Sequence, residues 1–194
     1  AAHEAFDEGR FLEAADAGEA LGTGPGLAMA AEALAIHGYY LAEDDTKQPL
    51  FQRAMALASK AVEIDPDKPQ AHLQASHAMG RYAQTIGVLE ALNEGFAERI
   101  RERLDAALAL DPDLVGAHLS LAAWHAEIVA SAGFMAGILY GADEDEALAH
   151  YQKAVDLAPD DPAVNLEYGI GLLTLDEDDN AARARALFER AIAL

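Results

Sequence analysis

The chain has 194 residues, 52% of them hydrophobic, with 34 acidic against 13 basic side chains and a formal net charge of −21. This charge repels nucleic-acid phosphates and anionic lipid headgroups, so no nucleic acid is expected as a partner. The absence of cysteine excludes disulfide bonds and a thiolate metal site, and because no apolar stretch approaches the roughly 20 residues of a spanning helix, no membrane span is predicted.

The N-terminal part of the chain predicts a partial leading unit over residues 2–22. Within it, residues 9–14 have the pattern of the second helix of a helical pair. The glycine-rich stretch 22–26 that follows lacks the lysine and the preceding strand of a phosphate-binding loop. We therefore predict that this stretch is a loop between helices.

The rest of the chain repeats a pattern in which a helical segment ends at a proline. Pro66, Pro112 and Pro159 each follow such a segment, and residues 191–194 resemble the end of a fourth. Proline lacks a backbone donor and clashes with the preceding helical turn, so each one closes a helix. Amphipathic runs then supply the next helix at 71–82, 117–128 and 163–173. The predicted units within a single domain over 1–194 cover about 25–66, 67–112, 113–159 and 160–194.

Small residues recur at matched positions of these units, seven residues apart on one helical face. They are Ala54 and Ala61, Ala147 and Ala154, and Ala184 and Ala191. Together with the closing prolines, they make the chain resemble the tetratricopeptide repeat (TPR) family. The resemblance implies an all-α fold, a TPR-like right-handed superhelix of about four antiparallel helix pairs that binds partners.

The two middle units are longer than the family repeat, which has about 34 residues. The spacing is 46 residues from Pro66 to Pro112 and 47 from Pro112 to Pro159. The extra residues lie between the two helices of each unit, at 85–95 and 131–141. They are in register, because Gly87 and Gly133 each follow the preceding proline by 21 residues. Equivalent insertions are expected to project from the same side of a helical repeat protein.

The insertions are apolar, whereas loops are usually polar. Three explanations remain open: the insertions fold back as extra core, they form a groove for an apolar ligand, or they form a subunit interface. The candidate ligand or partner surface combines them with an aromatic pair in the helix before the second insertion. Its residues are Val88, Leu89, Trp124, His125, Phe134, Met135, Ile138 and Tyr140.

No arrangement of residues predicts a catalytic or metal site. His118 and His125 share a helical face but are separated by two turns, about 10 Å, which is too far to bind one ion. His125 and Glu127, two residues apart, do not face each other as an acid–base pair would. His72 and His118 hold equivalent repeat positions, which predicts a shared structural role. We therefore expect no enzyme, no cofactor and no metal.

Several short motifs indicate which groups of TPR proteins the chain resembles most. Residues 79–81 (Met-Gly-Arg), 123–125 (Ala-Trp-His) and 140–141 (Tyr-Gly) resemble the T-component proteins of tripartite ATP-independent periplasmic (TRAP) transporters. They are also similar to the regulator of microtubule dynamics group. The T-component resemblance implies a periplasmic helical protein, often oligomeric, that cooperates with a substrate-binding protein and carries a hydrophobic small molecule.

The function predicted from the sequence is a non-catalytic TPR scaffold for protein interaction in the periplasm, associated with a TRAP-type transport system. Its expected partner is a periplasmic solute-binding protein. The sequence leaves open whether the chain also forms a homo-oligomer. The alternative is a module that binds an apolar small molecule or lipid-like ligand on the inserted segments. The alternative location is the cytoplasm.

Overall fold

The computed structural model describes residues 1–194 and consists of twelve α-helices without a β-strand. The helices are α1 (Ala2–Asp7), α2 (Phe11–Leu21), α3 (Gly24–Tyr40), α4 (Asp44–Ile64), α5 (Pro69–Ile86), α6 (Val88–Asn93), α7 (Phe96–Leu110), α8 (Val115–Ala132), α9 (Met135–Tyr140), α10 (Glu144–Leu157), α11 (Pro162–Leu175) and α12 (Glu177–Ala193). The predicted all-α helical-repeat fold is confirmed.

The helices form two compact units, Ala1–Pro112 and Asp113–Leu194, here called unit 1 and unit 2. In unit 1, α1 packs against α2, α3 against α4, and α5 against α7. In unit 2, α8 packs against α10, and α11 packs against α12. Contacts of α3 with α5 and of α8 with α11 join neighbouring pairs within each unit. The single domain predicted over residues 1–194, with its repeat bounds, stays a prediction.

Most prolines mark helix boundaries, as the sequence predicts, although Pro49 lies inside α4. Helices α4, α7 and α10 each end two residues before a proline. The next helix then starts with residues suited to a first turn, since Pro69 begins α5 and Pro162 begins α11. At α11 the Asp161 side chain also accepts the Ala163 N–H at 2.8 Å, which satisfies a donor that the helix itself leaves free.

The glycine-rich stretch 22–26 is only partly the loop that the sequence predicts. Thr23 caps α3, because its hydroxyl oxygen accepts the Gly26 N–H at 3.3 Å. Helix α3 therefore begins at Gly24, inside this stretch, with Pro25 in its first turn.

All but one of the matched alanines lie in the core of their unit. Ala54, Ala61, Ala147 and Ala154 are completely buried, and Ala184 is nearly so, whereas Ala191 near the end of α12 is only half-buried. Such small side chains allow neighbouring helices to approach closely, and larger residues fill the remaining space. In unit 2 the rings of Tyr151 and Tyr168 stack with centroids 5.0 Å apart. A side chain at Gly171 would collide with the Tyr151 ring, so this contact requires glycine.

None of the twelve helices combines the length and the apolar character needed to cross a membrane.

Candidate functional site

The two insertions form the short helices α6 and α9, each held between two glycines. Gly87 and Gly95 flank α6, and Gly133 and Gly141 flank α9, with φ angles from 54° to 87°. Residues with a Cβ rarely adopt this region, so glycine allows the chain to turn at both ends of each helix. The same frame is therefore built twice, at equivalent positions of the two repeats.

The segment containing α9 presents an apolar surface to solvent. Phe134 is 87% exposed, Ile138 74% and Leu139 57%. Residues 133–141 include no charged side chain. Ala136 is buried and holds the helix against its unit. We call Phe134, Ile138 and Leu139 the α9 surface; clustered exposed apolar side chains of this kind mark interaction sites.

Helix α6 has the same frame but a mixed surface. Val88 and Leu89 are exposed, as they are predicted to be on a binding surface, but the exposed carboxylates of Glu90 and Glu94 lie on the same segment. Ala91 is buried and anchors the helix. Because water solvates the two carboxylates well, α6 offers a smaller continuous apolar area than α9.

This geometry bears on the first of the three explanations left open by the sequence, namely that the insertions fold back as extra core. The insertions do form additional helices, but several of their large apolar side chains point away from the core of their own units. The explanation that they serve as extra core is therefore wrong for Leu89, Phe134 and Ile138. Met135 and Tyr140 are half-buried and lie at the edge of the α9 surface.

Trp124 and His125 are buried in α8 and do not add to the exposed surface. Their rings meet edge to face with centroids 4.9 Å apart. The Nδ1 atom of His125 accepts the Asp143 N–H at 3.0 Å. Asp143 in turn caps α10 by accepting the Glu146 N–H at 3.2 Å. His125 thus fastens the chain directly after α9.

His150 is the residue of this region that the sequence analysis missed. Its Nδ1 atom lies 2.8 Å from Nδ1 of His118, and its ring is stacked 6.2 Å from that of His125. Two imidazole nitrogens this close share one proton, so one ring donates and the other accepts. His150 lies 32 residues after His118, and no spacing rule relates residues so far apart. No group of three or more histidine, cysteine or acidic side chains is arranged to hold a metal ion.

The equivalent positions His72 and Asn165 contact backbone in the turn before their own helices. His72 Nε2 donates to the Pro66 carbonyl at 2.8 Å, and Asn165 Nδ2 donates to the Asp161 carbonyl at 3.0 Å. Both side chains are buried. They tie the connecting turn to the first helix of the unit, which is a structural use of a polar side chain.

Comparison with known proteins identifies the family. The family model described as regulator of microtubule dynamics protein 1-3 matches residues 26–194. The chain belongs to this family. The residues matched to the family model include both inserted helices, α6 and α9. Helices α1 and α2 lie before the matched residues. Comparison with curated protein sequences finds no match.

Proposed function

We propose that this chain is a non-catalytic protein-interaction module that binds a partner protein on the α9 surface. The observation that carries the proposal is the outward exposure of Phe134, Ile138 and Leu139 on a segment without charge. Exposed aromatic and aliphatic side chains that cluster on one small element are typical anchors of protein interfaces. Membership of the regulator of microtubule dynamics family supports a helical interaction module.

The absence of catalysis is part of this proposal. His125, the histidine that we considered as an acid–base residue, is almost completely buried and its Nδ1 atom is occupied by the Asp143 N–H. A general base needs access to the proton that it removes. This arrangement supports a structural role for His125.

We further propose that the module is a TPR protein of the bacterial periplasm whose partner is the solute-binding protein of a TRAP-type transport system. The support is the resemblance of residues 79–81, 123–125 and 140–141 to the T-component proteins. The net charge of −21 favours a partner whose apolar pocket is rimmed by basic side chains. Attraction between the acidic chain and these basic side chains speeds association at low salt.

A small-ligand module, the alternative function, has weaker support in the geometry. Small-molecule sites enclose about 70–90% of the surface of their ligand. Phe134 and Ile138 are themselves 87% and 74% exposed and do not surround a space. A partner surface that covers them is the better explanation.

The direct test measures binding of the purified solute-binding protein by isothermal titration calorimetry. We expect Phe134→Asp to lower the affinity about 100-fold, because it places a charge in the centre of the apolar contact. Leu89→Asp on α6 is the matched control, since it also replaces a highly exposed apolar side chain with aspartate (Leu89 is 80% exposed and Phe134 87%). We expect it to leave the affinity within a factor of about three.

Two outcomes would contradict the proposal. In the first, Phe134→Asp and the unchanged chain bind the partner with equal affinity. In the second, analytical ultracentrifugation shows a stable dimer that Phe134→Asp converts to a monomer, which would make the α9 surface a contact between two copies of the chain.

A further inference from the structure

A cavity of about 320 Å³ lies in unit 1, where the end of α3, the start of α4 and the end of α5 meet. It is lined by none of the residues predicted as a binding surface. Cavities of this size are at the lower limit of those that hold small molecules. Gln84 and Thr85 lie at its rim and are exposed, so the cavity opens to solvent.

The residue that distinguishes this cavity is Arg81. Its guanidinium carbon lies 3.6 Å from the centroid of the Tyr39 ring, and its Nη1 atom donates to Gln84 Oε1 at 3.2 Å. Neither partner is a carboxylate, although the chain has 34 acidic residues. A guanidinium has five N–H donors, and stacking occupies its face rather than its edges. Donors of Arg81 therefore remain for a ligand in the cavity.

The three charged side chains that line the cavity leave one net positive charge. Lys47 also lines it, and its Nζ atom contacts Asp44 Oδ1 at 2.7 Å. This hydrogen bond and the lysine charge hold the pKa of Asp44 below its ordinary value, so the carboxylate is ionised at neutral pH. Arg81 is then the cation without a compensating anion. A ligand with a single negative charge balances it, whereas a dianion would add excess negative charge to an already acidic chain.

The other walls are aromatic. The Phe51 ring forms part of the lining and is otherwise buried. It is held in place beside Gly38, where any side chain would collide with the ring. Tyr39 is fixed by its contact with Arg81. The cavity thus joins a cationic donor to apolar ring surfaces, which suits a small molecule with a charged head and an apolar body.

We propose that this cavity binds a small organic acid that carries one carboxylate on an aromatic or apolar body. The carboxylate accepts hydrogen bonds from Arg81 at one end. The body lies against the exposed ring of Tyr39, next to Phe51, of which only 2% is exposed. This site is independent of the α9 surface and of the partner proposed for it.

The test titrates the intact chain with phenylacetate and follows binding by isothermal titration calorimetry. Phenylacetamide is the neutral ligand of the same shape, and phenyl phosphate is the dianion. We expect phenylacetate to bind at least about tenfold more tightly than phenylacetamide, since the charge-assisted hydrogen bonds are lost with the amide. Phenyl phosphate should also bind more weakly. A tripeptide that ends in phenylalanine shows whether a peptide C-terminus or only a free acid is accepted.

Substitutions assign the binding to the cavity. Arg81→Gln should weaken phenylacetate binding about tenfold, and Arg81→Lys should restore part of the loss because it keeps the charge but not the planar donor group. Lys60→Gln removes an exposed cation of α4 outside the cavity and should change nothing. Phe134→Asp should also leave phenylacetate affinity unchanged, so failure of this site and failure of the partner site are distinguishable.

The proposal is overturned if phenylacetamide binds as tightly as phenylacetate, if Arg81→Gln keeps full affinity, or if the intact chain does not bind phenylacetate at millimolar concentration.

Discussion

Helices α6 and α9 have the same frame and different surfaces. Both have six residues, both lie between glycines with positive φ, and both are anchored by one buried alanine. The exposed face of α6 includes carboxylates, whereas residues 133–141 are free of charge. The comparison teaches that the glycines and the alanine place each helix, while the exposed side chains determine whether it can serve as an interface.

The two helices are also fastened differently. Met79, on the helix before α6, forms an apolar cluster with Ala91 and Phe96. The position 46 residues later is His125, which fastens the chain after α9 through the Asp143 N–H. Helix α6 is thus held by apolar packing, whereas the end of the α9 segment is also held by a hydrogen bond. This difference can be tested by stability measurements, separately from partner binding.

The largest expected effect separates the two surfaces. Phe134→Asp should lower partner affinity about 100-fold, which corresponds to about 3 kcal/mol and is typical of a central interface residue. Leu89→Asp should lower it by a factor of about three or less. Isothermal titration calorimetry measures both affinities. Urea unfolding serves as the control, because neither exposed substitution should change the free energy of unfolding by more than about 0.5 kcal/mol. Equal losses of affinity in the two variants would contradict this prediction, because they would show that α6 and α9 contribute equally to partner binding.

The next largest effect is on stability and compares the His125 hydrogen bond with the packing of Met79. His125→Phe removes the acceptor for the part-buried Asp143 N–H and should destabilise unit 2 by about 1.5 kcal/mol. Met79→Leu keeps the apolar packing of α6 and should cost less than His125→Phe, at most about 1.5 kcal/mol and typically well below that. Trp124 is the only tryptophan, so its fluorescence during urea unfolding reports on unit 2, and circular dichroism follows the Met79 variant. A midpoint for His125→Phe equal to that of the unchanged chain would refute the anchoring role.

The smallest effect should be equal in the two helices. At both Gly87 and Gly133 a Cβ would meet no atom within 4 Å, so alanine costs only backbone strain. The φ angles are 87° and 54°, and we expect each glycine-to-alanine change to cost about 1 kcal/mol in urea unfolding. A cost found at only one of the two positions would break the equivalence of the frames.

The helical fold could be predicted because its signals are local. Pro66, Pro112 and Pro159 close helices through their own covalent structure, and alanines seven residues apart define a packing face without knowledge of any neighbour. The positions of the insertions followed from the same register. A repeat shows these signals several times, so single departures do not hide them.

The direction of the inserted side chains could not be predicted. The apolar composition of residues 131–141 suits a buried and an exposed helix equally well, and the outcome depends on the turns at Gly133 and Gly141. Contacts between distant residues were also hidden. His150 meets His118 from a helix 32 residues later, and Arg81 lies on the ring of Tyr39, which is on a different helix. Sequence spacing carries no information about such pairs until the helices are packed.

The central claim is that the α9 surface, and not its counterpart on α6, is the partner-binding surface. Hydrogen-exchange mass spectrometry of the chain with and without the proposed partner, a solute-binding protein, tests this claim most directly, because both short helices are observed in one experiment. The account predicts slower exchange of the amides in residues 133–141 on binding and unchanged exchange in residues 87–95. Protection of residues 87–95 with no change in residues 133–141 would contradict it.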